Sequence, residues 1–277
     1  MPIESLFRRV ASRQNAVVAR ARALARHASD EVLVEGITLA AEALAAEWNV
    51  VLLAVTDEAL KDPAVVRLAT TLPPHADRVL VSENVMDAMS PVRTPSGVLA
   101  IARPKGSVAD SGPVPPEGAG RDPLLVCAVD VQDPGNVGAI VRVAEAAGAT
   151  ALLAAGGTAD PYGWKALRGA MGSAFRLPVA RGISTGHALR AARDQGCRVV
   201  GTVLDGAPLE QSDLTGPLCL LVGGEGGGLP LELVSAADLR ITIPMAAPVE
   251  SLNVAVATAV VLYEARRQRL GTRALAR

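Results

Sequence analysis

The second half of the chain alternates short, wholly apolar segments with helical segments of about 10 to 15 residues. The apolar segments include PLLVCAVD, ATALLAAG, CRVVGTVL and PLCLLVGG. A strand that is apolar on both faces must be covered on both faces, which is typical of a parallel sheet between two layers of helices. Residues 124–277 are therefore predicted to form an α/β domain of this kind.

The first half divides into three predicted segments. Residues 1–27 carry six arginines against one acid and have helical periodicity, so they are predicted to form a basic helical arm, either a solvated face or a surface that meets phosphates. Residues 28–103 alternate strands and helices and predict a small α/β domain. Nine of the twenty residues in 104–123 are proline or glycine, which predicts a linker.

Composition excludes several classes of protein. The net charge of −1 gives no overall basic signal, so a nucleic acid would have to meet a local patch. The three cysteines lie in apolar runs without a CxxC spacing, and they predict buried thiols and no metal site. No apolar run reaches ~18 residues and no signal peptide is evident, which favours a cytoplasmic protein.

Polar residues follow the first strand of the second half in DPGNVG, where Asn136 and Gly138 are predicted to lie in a strand-to-helix turn. Arg142 would lie in the first turns of the helix. Free backbone N–H groups at a helix start bind anions. Each residue alone also fits an ordinary role: Asn136 as an N-cap, Gly138 as a packing glycine and Arg142 as a surface charge.

Two further segments lie near the end of the chain. In GGEGGG, Glu225 stands among five glycines, but the spacing matches neither a dinucleotide fingerprint nor a P-loop, so the loop predicts close approach of backbone to a ligand. After Ile243-Pro244-Met245, the stretch Ser251-Leu252-Asn253 opens a long helix. Ser251 is predicted to cap that helix, with Asn253 directed to another side.

These three blocks resemble, in order, the three motifs of the SpoU (TrmH-like) branch of the SPOUT RNA methyltransferases. They are NVGAIVR from Asn136, LVGGEGGGL from Leu221, and the IPM and SLNVAVA segments. Residues 31–103 resemble more weakly the substrate-binding domain that is often fused in front.

The resemblance implies a parallel sheet with a deep trefoil knot, preceded by an L30e-like domain, and a homodimer in which the first motif contributes to the partner's active site. It implies transfer of a methyl group from S-adenosylmethionine to a ribose 2′-hydroxyl, in ribosomal RNA or, as the alternative, in transfer RNA. Two competing hypotheses are a non-catalytic RNA-binding scaffold and a nicotinamide-dependent oxidoreductase, and the missing dinucleotide fingerprint argues against the oxidoreductase.

The resemblance also assigns residues. The predicted catalytic residues are Asn136, Arg142, Glu225, Ser251 and Asn253, with Arg142 as proton acceptor or phosphate clamp. The predicted cofactor contacts are Thr202, Gly223, Gly224, Gly226, Ile243, Met245 and Leu252. The predicted RNA contacts are Lys165 and Arg168 from the segment between the first two motifs and, from the excess of arginines in the arm, Arg8, Arg9 and Arg13.

Overall fold

A computed structural model describes residues 3–105 and 122–275, with side chains to residue 271. Most of the predicted linker, residues 106–121, lies outside the described residues. The described residues divide into two compact units. The N-terminal unit comprises residues 3–105 and Tyr162–Phe175, and the C-terminal unit comprises residues 122–161 and 176–275.

The strands are β1 Arg8–Val10, β2 Val32–Glu35, β3 Asn49–Thr56, β4 Asp77–Val81, β5 Val98–Arg103, β6 Leu124–Val129, β7 Ala151–Ala155, β8 Val179–Ile183, β9 Arg198–Pro208, β10 Leu218–Gly223 and β11 Leu239–Thr242. The helices are α1 Ala16–Leu24, α2 Ile37–Ala45, α3 Pro63–Thr71, α4 Glu83–Met89, α5 Pro134–Ala147, α6 Trp164–Ala170, α7 Ser173–Arg176, α8 Thr185–Asp194, α9 Leu231–Ala236 and α10 Val254–Leu275. Short 3-10 turns cover Ile3–Leu6, Ala59–Lys61 and Leu209–Gln211.

The N-terminal unit is built on a five-stranded sheet of order β1-β4-β3-β5-β2. The strands β1, β3 and β4 are parallel, and β5 runs antiparallel to β2 and β3. Helix α3 begins at Pro63, which lacks an N–H group and follows the capping carboxylate of Asp62.

The first 27 residues differ from the predicted arm. They contain strand β1, which pairs with β4 at the sheet edge, and helix α1. Val10, Val17 and Val18 are buried in the core of the N-terminal unit. Burial of these β-branched side chains draws the segment into the domain and leaves its arginines at the surface.

The segment Tyr162–Phe175 packs with the N-terminal unit, although residues 124–277 were predicted to form a single domain. The ring of Trp48 meets Tyr162 and Phe175 edge to face at centroid distances of 5.0 and 4.8 Å. The Trp48 indole N–H also donates to the carbonyl of Phe175 at 3.2 Å. Aromatic pairs of this geometry add to the stabilisation from burial alone, which explains why the segment lies with the N-terminal unit.

The C-terminal unit contains a six-stranded sheet of order β11-β9-β10-β6-β7-β8 in which every adjacent pair is parallel. The predicted parallel sheet is confirmed. Between β9 and β11 the register shifts, so that Gly201 pairs with Arg240 and Ala207 with Ile241. Residues 202–206 of β9 therefore have no register partner on β11.

The three cysteines were predicted to be buried thiols. The three cysteines are free and buried, and burial raises the pKa of Cys127 to about 12 and that of Cys197 to about 11. They are inert thiols at neutral pH.

Among the described residues, none of the helices combines the length and the hydropathy that a membrane crossing requires.

Candidate active site

A pocket of about 700 Å³ opens in the C-terminal unit where β9, β10 and β11 end and α10 begins. Loops at the carboxyl ends of parallel strands are the usual ligand sites of such sheets. All seven residues predicted to contact a cofactor line it: Thr202, Gly223, Gly224, Gly226, Ile243, Met245 and Leu252. Val203 to Asp205, which the register shift leaves without a partner on β11, line it too, and they were not predicted because a register shift leaves no sequence signal.

The glycine loop after β10 is held by tight backbone packing at its start. A Cβ atom on Gly223 would lie 2.5 Å from the nitrogen of Leu229 and still closer to the backbone of Gly228. One on Gly224 would collide with the carbonyl oxygen of Asp130. Further on, Gly226 has φ +82°, a conformation that glycine adopts at no steric cost. The glycines are thus needed for the conformation of the loop, and that conformation exposes the loop backbone to the pocket.

The start of α10 differs from the prediction. The helix begins at Val254, and Asn253 is its N-cap, since its side-chain oxygen accepts from the N–H groups of Ala255 and Val256 at 2.9 and 3.3 Å. Ser251 lies two residues before the cap and lines the pocket. The prediction that Ser251 caps the helix is therefore wrong, because the buried Val254 sets the first helical turn two residues later than predicted.

The start of α5 lies one turn earlier than predicted. Asp133 is the N-cap and accepts from the N–H of Asn136 at 2.9 Å, and Pro134 occupies the first helical position. Asn136 and Gly138 therefore lie inside the helix and not in the turn before it. The Asp-Pro pair is a recognised helix-start signal that was available in the sequence.

Asn136 joins the other two motifs within one chain. Its amide nitrogen donates to Glu225 of the glycine loop, and its oxygen accepts from the amide of Asn253 at 2.9 Å. The side-chain oxygen of Asn253 accepts from the α10 backbone, so the NH₂ group of the same side chain must be the end that faces Asn136. The first motif was expected to act on the partner's site, but Asn136 meets Glu225 and Asn253 of its own chain.

Arg142 lies apart from this cluster. It is exposed on α5 and forms no hydrogen bond or ion pair with any residue that the structure describes. Six residues of helix place it about 9 Å along the axis from Asn136 and about 120° around it. It does not line the pocket of its own chain.

The predicted RNA contacts fall into two groups, both in the N-terminal unit. Arg8 pairs with Asp77, and Arg9 pairs with Asp57 at 3.1 Å, which favours the solvated-face interpretation for these two arginines. Arg13 is exposed. Lys165 and Arg168 are exposed on α6, and the Lys165 ammonium lies 5.5 Å from the ring centroid of Trp164.

The sheet, the pocket at its strand ends and the bonded Glu225, Asn136 and Asn253 define an α/β domain with a polar cluster beside a ligand pocket. Residues 123–263 match the SpoU rRNA Methylase family, and residues 19–100 match the MRM3-like substrate binding domain. The chain belongs to the SpoU rRNA methylase family, so the resemblance drawn from the three motifs is confirmed.

Several relatives are similar over most of their length. The 23S rRNA (guanosine(2553)-2'-O)-methyltransferase RlmP of Bacillus subtilis is 34% identical over 223 residues, which cover 76% of this chain and 85% of the relative. The AdoMet complex of the SpoU methyltransferase AviRb from Streptomyces viridochromogenes has a TM-score of 0.83 at 30% identity, covering 93% of this chain and 99% of its own. An AdoMet-bound rRNA methyltransferase from Sinorhizobium meliloti has a TM-score of 0.80 at 32% identity, covering 95% and 98%.

Proposed function

We propose that this protein is an RNA 2′-O-ribose methyltransferase that uses S-adenosylmethionine and acts on ribosomal RNA. The observation that carries the proposal is the hydrogen-bonded cluster of Glu225, Asn136 and Asn253 at the rim of the pocket. Each of the three motifs contributes one of these residues, and a protein that only bound RNA would have no need to hold them together. The relatives support ribosomal RNA as the substrate, and a cytoplasmic location is part of the same proposal.

The pocket fits the proposed cofactor. Its volume is within the usual range of small-molecule sites, about 300 to 1,000 Å³. Its walls combine the backbone of the glycine loop with apolar side chains such as Val222, Leu229 and Leu252, which suits a nucleoside that is recognised by backbone groups and apolar contact. S-adenosylmethionine, when bound, supplies an electrophilic methyl group on a sulfonium.

The residues of this chain have to orient the RNA ribose and handle its proton. Asn253 donates to Asn136, which in turn donates to the carboxylate of Glu225 and orients it towards a neighbouring donor. Arg142 has two possible roles, as the group that accepts the 2′-hydroxyl proton or as a clamp on an RNA phosphate. A guanidinium normally keeps its proton, which favours the clamp.

Because Arg142 lies apart from the pocket of its own chain, we propose a homodimer in which the partner supplies it. The exposed face of α10 supports this, since Val256, Val260 and Tyr263 follow one another at helical spacing and are 50%, 40% and 53% exposed.

Val260→Glu is expected to shift the protein to a monomer in light scattering and to abolish methyl transfer. Leu231→Glu, which changes an apolar residue on α9 that is even more exposed, is the control and should leave the dimer intact. A dimeric Val260→Glu protein would contradict this interface. The trefoil knot belongs to the same proposal.

The activity is tested with ribosomal RNA from a strain in which the gene is deleted. The purified protein and labelled S-adenosylmethionine should restore one 2′-O-methyl site that is missing from that RNA, detected as resistance to alkaline cleavage. Arg142→Ala should abolish transfer while cofactor binding measured by calorimetry persists. Arg190→Ala, an exposed arginine on α8, is the matched control. Methylation of transfer RNA alone would replace the substrate, and absence of transfer to either RNA would refute the proposal.

A further inference from the structure

Aromatic side chains are scarce in this chain, and their positions are unequal. The sequence has two tryptophans, two tyrosines and two phenylalanines. Phe7, Trp48, Tyr162 and Phe175 are all buried. Trp164 is only half-buried and lies at the first position of α6, in the N-terminal unit. A tryptophan left accessible in a chain with so few aromatics requires an explanation beyond the core.

Two cations stand beside this ring. Lys165 and Arg168 are exposed and three residues apart, so that they share one face of α6. Neither forms a hydrogen bond or ion pair with a carboxylate among the described residues, whereas Arg8, Arg20 and Arg103 of the same unit are each paired with one. The charge of Lys165 and Arg168 is therefore available to an anionic partner.

A buried carboxylate anchors the loop that follows α4 close to this face. Glu35 accepts from the hydroxyl of Ser90 at 2.9 Å and from the N–H of Ser96 at 3.4 Å. Arg168 lies near enough to act on the Glu35 carboxyl electrostatically. The loop between the two serines also carries Arg93, which is exposed.

We propose that Trp164 stacks an unpaired RNA base, and that Lys165 and Arg168 hold the phosphates on either side of it. The inference rests on the proposed function and names the form of RNA that the N-terminal unit binds. A flat ring beside cations that form no ion pair suits single-stranded RNA, whose unstacked bases present a π face, and not a duplex, whose bases are already stacked. The Lys165 ammonium covers the ring without RNA, and its flexible stem lets it move to a phosphate when a base arrives.

The stacking role is tested with a fluorescein-labelled single-stranded RNA of mixed sequence, about 12 nucleotides long, followed by anisotropy. Trp164→Phe keeps a flat ring and should bind within about threefold of the wild type. Trp164→Leu keeps apolar bulk without a π face and should bind about 5- to 100-fold more weakly. Equal binding by Trp164→Leu and the wild type would overturn the proposal, as would an equal loss in both variants. Circular dichroism confirms that each variant is folded.

The phosphate role is tested by the salt dependence of the same binding. Lys165→Ala should reduce the slope of log affinity against log salt by about 0.7, the value for one contact to a single strand. Lys61→Ala is the matched control, because Lys61 is an exposed lysine of the same unit but pairs with Glu58. An unchanged slope in Lys165→Ala, or an equal change in Lys61→Ala, would show that Lys165 does not contact an RNA phosphate.

These results are separate from the test of activity. If the wild type methylates RNA but Trp164→Leu binds the oligonucleotide normally, the stacking surface fails alone. If the wild type methylates no RNA, the proposed function fails, while the contrast between Trp164→Phe and Trp164→Leu is still measured.

Discussion

The glycine loop allows a prediction in which alanine substitution at two of its glycines has opposite effects on stability. In Gly223→Ala the new methyl group would lie 2.5 Å from the nitrogen of Leu229 and closer to the backbone of Gly228. The obstacle is main chain, and Gly228 is further held by its N–H bond to the carbonyl of Gly224 at 3.2 Å. Overpacking of this kind costs about 1 to 3 kcal/mol, more than the ~0.4 to 1 kcal/mol that alanine gains by restricting the unfolded chain.

Gly227→Ala is the matched control. No atom lies within 4 Å of a Cβ at that position, and its backbone is not in the left-handed region. Only the unfolded-state effect remains, so the variant should be as stable as the wild type or more stable by up to ~1 kcal/mol. The unfolded-state effect is common to both alanine variants, so they are expected to differ by the overpacking cost of about 1 to 3 kcal/mol, although they lie in the same loop.

Urea unfolding of the full chain measures this difference. With a slope of about 1 to 3 kcal/mol per molar urea, the midpoint of the C-terminal unit should lie about 1 M lower in Gly223→Ala than in Gly227→Ala. Calorimetric titration with S-adenosylmethionine should show weaker binding in Gly223→Ala, because the displaced backbone lines the pocket. Equal midpoints for the two variants would refute the argument from backbone packing.

Three further predictions concern single groups. Asn136→Asp should lower the urea midpoint, because it faces Glu225 with a second carboxylate, and Glu225→Gln in the same chain should restore most of it by supplying a donor; a double variant as unstable as the single one would exclude this pairing. Burial raises the pKa of Glu35 above its unfolded value, so the stability it adds is complete below the unfolded pKa and is lost as pH rises through the folded pKa. Over about pH 4 to 8, the urea midpoint of Glu35→Gln should lack that fall, and identical profiles would contradict it. The buried thiols should stay unmodified by iodoacetamide at about pH 8 until the protein unfolds, and labelling of the native protein would disprove their burial: Cys127, Cys197 and Cys219.

The order of strands and helices in the C-terminal unit was predictable, because a strand that is buried on both faces consists of consecutive apolar residues. Strands such as LLVCAV and LCLLVG bury the side chains on both of their faces, as they do inside a parallel sheet that helices cover on both sides. Helix starts were less predictable. Both α5 and α10 begin at a residue other than the one predicted, since several polar residues can cap and the choice depends on which apolar side chain the first turn buries.

The segment Tyr162–Phe175 shows where local pattern fails. Its helical spacing was evident, but nothing in its own residues indicates that it packs with the N-terminal unit. Its place is set by Trp48, whose contact with Phe175 spans 127 residues of chain. The sequence left two interpretations of the basic N-terminal residues open for a related reason, since the carboxylates that pair with Arg8 and Arg9 are far away in sequence.

By itself, the sequence determined the family, the parallel sheet and the residue types of the pocket, because glycines, buried strands and capping groups act through their immediate neighbours. Only the tertiary structure decided which of those residues meet. Asn136 bonds Glu225 and Asn253 across separations of 89 and 117 residues, and the roles of all three depend on that meeting. A hydrogen bond between distant residues depends on the path of the whole chain between them, and no local pattern encodes that path.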